Sequence, residues 1–196
     1  MEIIIPISYI KCALVTAAAK DVRYYLNGLA ILPHKTGAIL ASADGHRITM
    51  LHIPGPFGLP EGGAILPRDF CERIAKFKYP RKDLQETFTI EAGRVRATLA
   101  GMDAALVDGR FPNMARVVPK DCSGKVGQFE PRYLGDLAKQ AMALGAGAGA
   151  TNVYIHHNGE TGAARVTMGK RPEFLGVLMP VRVQDAPAAG DWAKEL

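Results

Sequence analysis

The feature that most constrains this chain is one pattern met three times: a short apolar run, a proline, then an amphipathic stretch. The copies are Ile3-Ile4-Ile5-Pro6 leading into residues 9–20, Ala64-Ile65-Leu66-Pro67 leading into 69–77, and Phe129-Glu130-Pro131 leading into 133–144. Pro6 and Pro67 lie 61 positions apart, and Pro67 and Pro131 lie 64 apart. Proline suits the start of a helix, where its missing N–H would have no intrahelical acceptor. Ser8 and Asp69 are placed to accept hydrogen bonds from the first turns. Apolar residues at helical spacing, as in Phe70, Ile74, Phe77 and in Leu134, Leu137, Ala138, Ala141, give each helix one buried face.

After each helix come segments rich in β-formers: 38–41 and 48–53, then 87–91, 94–99 and 104–107, then 153–156, 164–168 and 175–179. Asp44-Gly45 and Asp108-Gly109, 64 apart, fall where strands must reverse or bend. Each unit therefore reads as strand, helix and about three strands. The expected fold is α+β, with antiparallel sheets on one side and helices on the other.

At 196 residues and 48% apolar content the chain holds enough material for a sizeable core. The apolar stretch of residues 3–7 is too short to span a bilayer and has no basic region before it, so neither a signal peptide nor a membrane anchor is expected. Cys12, Cys71 and Cys122 are odd in number and widely spaced, which points away from a disulfide framework or zinc site and towards a cytoplasmic setting. The formal charge of +5 favours a polyanionic partner without proving one.

The run Asp21-Val22-Arg23-Tyr24-Tyr25-Leu26-Asn27-Gly28 resembles the middle-domain signature of the β subunit of bacterial replicative DNA polymerase, the β sliding clamp family. Asp44-Gly45-His46-Arg47 and Val107-Asp108-Gly109-Arg110-Phe111-Pro112 resemble its next two motifs, and Val177-Leu178-Met179-Pro180-Val181-Arg182 is similar to its carboxy-terminal segment. The resemblance implies a DNA-clamp fold in three units. Residues 1–120 resemble the middle domain (units 1–58 and 62–120), residues 125–183 resemble the second half of the last domain, and 184–196 form a tail. The family's first domain and half of its last have no counterpart in this shortened form. Family rings contain six domains of two units each, so four chains of three units would close a circle; a tetrameric ring is the favoured homo-oligomer.

The resemblance further implies a processivity factor rather than an enzyme. Its expected partners are sequence-independent double-stranded DNA, a DNA polymerase and other proteins bearing clamp-binding motifs, and a clamp loader; no cofactor or metal is expected. Clamps hold DNA through its phosphates, which calls for positive charge at helical spacing. The candidates are Lys11, Arg68, Arg73, Lys76, Arg132 and Lys139 on or beside the helices, with Lys20, Arg23 and Tyr24 in the first motif, where an aromatic could stack on an unpaired base. An ordinary solvated helix face, ion-paired through Asp69, Glu72 and Asp136, is the alternative.

Carried over by position, the family's partner-peptide groove comprises Leu26, Gly45, His46, Arg47, Ile48, Pro112, Arg116, Val117, Val177, Leu178, Met179, Pro180, Val181 and Arg182. Met179 would give an adaptable wall and Arg47, Arg116 and Arg182 a charged rim. Ala43 stands where the family usually carries threonine. Trp192 lies in the tail, where it could dock in a groove or remain unstructured. A groove-bearing module without a ring, competing for clamp-binding peptides, is the rival function.

Other signals point nowhere chemical. Asp44 beside His46 has no nucleophile motif near it, and His156 and His157 would face opposite sides of a strand. The glycine-alanine run at 145–150 follows a helix and precedes a strand, the reverse of a phosphate loop. Cys12 and Cys71 read as packing residues.

Overall fold

The computed structural model describes residues 1–80, 84–145 and 152–183. The tail with Trp192 and most of the glycine-alanine run lie outside the described residues. The elements of the first segment are β1 (Glu2–Pro6), α1 (Ile7–Leu14), β2 (Gly28–His34), β3 (Gly37–Ala43) and β4 (Arg47–Pro54). Those of the second are β5 (Ala64–Pro67), α2 (Arg68–Lys76), β6 (Gln85–Glu91), β7 (Arg94–Ala97) and β8 (Met102–Ala105). The third has α3 (Pro131–Ala143), β9 (Val153–His156), β10 (Ala164–Met168) and β11 (Arg171–Leu178).

The first two units exchange their leading strands. β1 pairs with β6 of the second unit, and β5 pairs with β2 of the first. In both pairs the proline sits opposite the first residue of the receiving strand, Pro6 against Gln85 and Pro67 against Gly28. The next backbone N–H then crosses to the other unit: Ile7 donates to Leu84 O (3.0 Å) and Arg68 to Asn27 O (3.1 Å). Gly28 is required at this crossing, since a Cβ there would come within 2.3 Å of Leu66 O.

Two antiparallel sheets result, one of order β1-β6-β7-β8 and one of order β5-β2-β3-β4-β11-β10-β9. The third unit joins the first where the last strands of each meet, β11 against β4. α1 lies between α2 and α3 and touches both. Ile5, Ile10, Leu29, Leu40, Phe70, Ile74 and Phe88, none more than 1% exposed, form the centre of the main apolar core; burial of this area is the chief force holding the layers together.

Several expectations need correction. α1 ends at Leu14, not residue 20, because Ala18 N–H leaves the helical path to pair with Ala43 O. Neither Ser8 nor Asp69 caps a helix. The prolines themselves take the cap positions without a side-chain hydrogen bond, and the exchanged strands supply acceptors for the first N–H groups. β2, not expected from the sequence, is the strand that receives β5. The segment before α3 forms no strand, only one bridge between Gln128 and Val181. His156 ends β9 and shares a hydrogen bond with Thr167 Oγ1, while His157 lies beyond the strand and accepts from Gly127 N–H.

Candidate functional site

A cleft of about 350 Å³ opens where the β3–β4 turn, the segment after β8 and the end of β11 converge. Leu26, Gly45, His46, Arg47, Ile48, Pro112, Val117, Val177 and Met179 line it, together with Arg23, Tyr25, Ala43 and Met114. Nine of the fourteen groove candidates thus come together, although they are spread along the chain from Leu26 to Met179. Leu178 points away into the main core at 1% exposure, as alternation along a strand demands. Arg116 is exposed on the short 3-10 turn Met114–Arg116 beside the cleft. Pro180, Val181 and Arg182 continue past β11, where Val181 N–H donates to Gln128 O instead of lining the cleft.

The local sequence explains this geometry. Asp44 Oδ1 accepts from the backbone N–H groups of both His46 and Arg47, each at 2.9 Å, and Gly45 takes φ +91°, a conformation costly to other residues. The tight turn presents His46 and holds its carbonyl for Met179 N–H at 2.9 Å, joining the two walls. Asn113 accepts from Ala115 N–H and so opens the turn that places Met114 and Val117. The walls are apolar, with polar groups confined to the rim, the composition that suits capture of an extended peptide by one or two apolar anchors.

Arg47 reaches out of this cleft to the third unit. Its guanidinium pairs with Asp44 (2.9 Å) and Asp136 (2.6 Å) and lies 4.4 Å from the centre of the Tyr133 ring. Burial opposes its charge, yet the two carboxylates more than compensate and hold it more firmly protonated than usual. Burial likewise works against ionisation of Asp136, but Lys139 and Arg47 hold its carboxyl below the ordinary range. Behind these ion pairs Gln140, only 1% exposed, donates to Thr49 Oγ1 and Thr16 Oγ1, while Thr16 is bonded to Ser42 at 3.0 Å. This buried polar cluster fastens α3 to α1, β3 and β4.

The cationic candidates divide into two groups. Lys11, Lys20, Arg73 and Lys76 are exposed and make no ion pair among the described residues. Arg68 instead donates to Ala17 O and Ala18 O and pairs with Glu72, Arg132 pairs with Glu130 and Lys139 with Asp136. Arg23 pairs with Asp21, whose carboxyl it pulls down to about 2, and stands at the cleft. Tyr24 is 58% exposed with its ring near Tyr25 and Gly109. Among the described residues no cluster of three metal-ligating side chains occurs, and no helix is long and apolar enough to cross a membrane.

Sequence reasoning missed Arg23, Tyr25 and Met114 as cleft residues, and Tyr133, Asp136 and Gln140 as supports of the turn. No sequence signal marks them, because they reach the cleft only through tertiary packing.

Helices laid over paired antiparallel sheets, with an apolar cleft where strands of two segments meet, define an α+β protein built to seat an apolar ligand segment. Residues 7–113 match the family model described as the DNA polymerase III beta subunit, central domain. The chain belongs to this family. It is 31% identical over 134 residues to the beta sliding clamp of Escherichia coli K12, covering 66% of this chain and 34% of that protein, and 30% identical over 115 residues to the beta sliding clamp of Caulobacter vibrioides NA1000, covering 53% and 30%. The chain thus spans about a third of the length of these curated relatives.

Solved structures match over more of the chain. The DNA polymerase III subunit beta of Pseudomonas aeruginosa superposes with a TM-score of 0.73 at 18% identity, covering 93% of this chain and 67% of that one. A sliding clamp from Bartonella birtlesii bound to griselimycin gives 0.71 at 20%, covering 93% and 66%. At these identities the likeness establishes the α+β clamp fold alone.

Proposed function

We propose that this chain is a building block of a DNA sliding clamp, a non-enzymatic processivity factor that surrounds duplex DNA and tethers a polymerase and other proteins by short peptides seated in the cleft. The observation that carries this reading is the cleft itself, assembled from all four resembling motifs. Residues 1–120 would act as the middle clamp domain and 125–183 as a half domain. Three units per chain favour a four-chain ring of twelve units. Lys11, Lys20, Arg73 and Lys76 would supply phosphate contacts that read no bases, and a clamp loader would open the ring.

Two measurements test the reading. Protein assembled on nicked circular DNA should be retained through gel filtration and released once the DNA is linearised; equal retention on both overturns encirclement. Peptides with two apolar anchors should compete for the cleft, and Met179→Glu should weaken them at least tenfold while leaving the fold intact. Peptide binding with no retention on circles would favour the rival, a ringless module that intercepts clamp-binding peptides.

A further inference from the structure

We infer that the third unit docks onto the third unit of a second copy around a two-fold axis, repeating between chains the strand exchange that joins the first and second units within one chain. The inference deepens the ring reading above by assigning which surfaces meet, but the paired units stand without it.

Counting from each unit's proline exposes the missing partner. The residues three, four and seven positions after Pro67 are Phe70, Cys71 and Ile74, and those four and seven after Pro6 are Ile10 and Ala13. None is more than 1% exposed. Pro6 and Pro67 each stand just before a helix, whereas α3 starts after Glu130, and the matching positions there hold Tyr133, half-buried, Leu134, 42% exposed, and Leu137, buried; beside them Ala138 is exposed and a Cβ built on Gly135 would meet nothing within 4 Å. Met142, one turn further, is 65% exposed. α3 thus leaves an apolar stripe of Leu134, Ala138 and Met142 bare, next to the face it buries through Leu137.

The strands agree. β2 and β6, each the first strand after a helix, receive a leading strand from the other unit. β9 holds the same place after α3, yet among the described residues pairs only with β10 and ends its sheet, with Tyr154 51% exposed. Meanwhile the leading segment of the third unit keeps one of its two neighbours. Val181 N–H donates to Gln128 O (2.8 Å) much as Val107 N–H donates to Ile65 O (2.9 Å). Its other side is where β5 meets β2. A second copy's third unit offers both missing parts, a strand edge for this leading segment and a leading segment for this edge.

The occupant follows from the kinds of face present. Units join through exchanged leading strands, as first with second, or through last strands, as β4 with β11. Among the described residues each chain leaves one face of each kind open: the exchange face of the third unit and the last-strand edge at β8. Like faces join, so copies meet third unit to third unit and second unit to second unit, never head to tail. An odd number of units forces this alternation, and it closes with an even number of chains.

Single cysteines placed in turn at Leu134, Ala138 and Met142, in a Cys122→Ser background, test the two-fold. Cys12 and Cys71 stay buried, so each variant carries one exposed cysteine; an isologous contact brings each residue near its own copy, and oxidation should give covalent dimers from at least one variant. Leu134→Glu, on the bare face, should halve the assembled mass by light scattering or reduce it to a monomer, with unchanged circular dichroism. Oligomers that form no disulfide in any variant and keep their mass with Leu134→Glu overturn the inference, whatever their retention on circular DNA. Disulfide-linked dimers that slide off circles would sustain it and overturn the ring instead.

Discussion

Arg47 ties the cleft to the rest of the molecule, because the turn that presents His46 also fixes the guanidinium against Asp136 and Tyr133. Arg47→Met should therefore cost about 1.5–3 kcal/mol, the range for hydrogen bonds between charged groups, as well as loosen peptide binding; urea denaturation measures the first effect. The Asp136 carboxyl is held below its ordinary value of about 3.9. The stability this confers is fully present above that pH and disappears as the pH falls through the lower folded value. Asp136→Asn should accordingly flatten the loss of stability as the pH falls below the ordinary carboxylate range; a variant with the parent's acid profile would show that the pair contributes nothing. Much at this scale was readable in advance. Asp44-Gly45 named its own turn, since few other pairs satisfy two N–H groups and a positive φ. The roles of Tyr133, Asp136 and Gln140 were not readable, since each depends on a partner some ninety positions away along the chain.

The helices and most strands follow from periodicity, and where reading failed the cause is a neighbouring element. α1 stops early because partners from elsewhere hold the chain beyond it, Ala43 O taking the Ala18 N–H and Arg68 the carbonyls of Ala17 and Ala18, a stop signal that no residue within the helix carries. β2 begins at a glycine chosen for the approach of Leu66, so its first position looks like a turn. The segment before α3 forms a single bridge, Gln128 with Val181, and no strand. Gln140 binds the third unit to the first through donors and acceptors wholly shut off from water. Gln140→Ala should lower unfolding free energy by about 2–3 kcal/mol through stranded hydroxyls and a cavity, and hydrogen exchange should show α3 and β9–β11 opening before α1. Uniform exchange across the three units would contradict this.

For the whole molecule, DNA affinity should rest on screened phosphate charges. Replacing Lys11, Arg73 and Lys76 by glutamine should reduce the slope of log affinity against log salt by about 0.9 for each phosphate no longer neutralised, with no change in base preference; an unaltered slope would remove these helices from the DNA surface. The α+β clamp fold was legible, because helical and strand periodicities and the turn signals between them are local. Which faces remain open was not, since openness is a property of what the chain lacks beside it.

The buried Gln140 cluster carries a consequence for how copies sort themselves. Seated on the first unit, its amide finds Thr49 and Thr16; seated against an apolar surface it would be stranded at a cost of about 1–3 kcal/mol. The second unit has Phe77 where the first has Thr16, counting from the proline, and offers no such welcome. At high concentration, then, a stray third unit discriminates between its proper berth and the wrong end of a neighbour. Polarity in the core serves as proofreading for the order in which units line up.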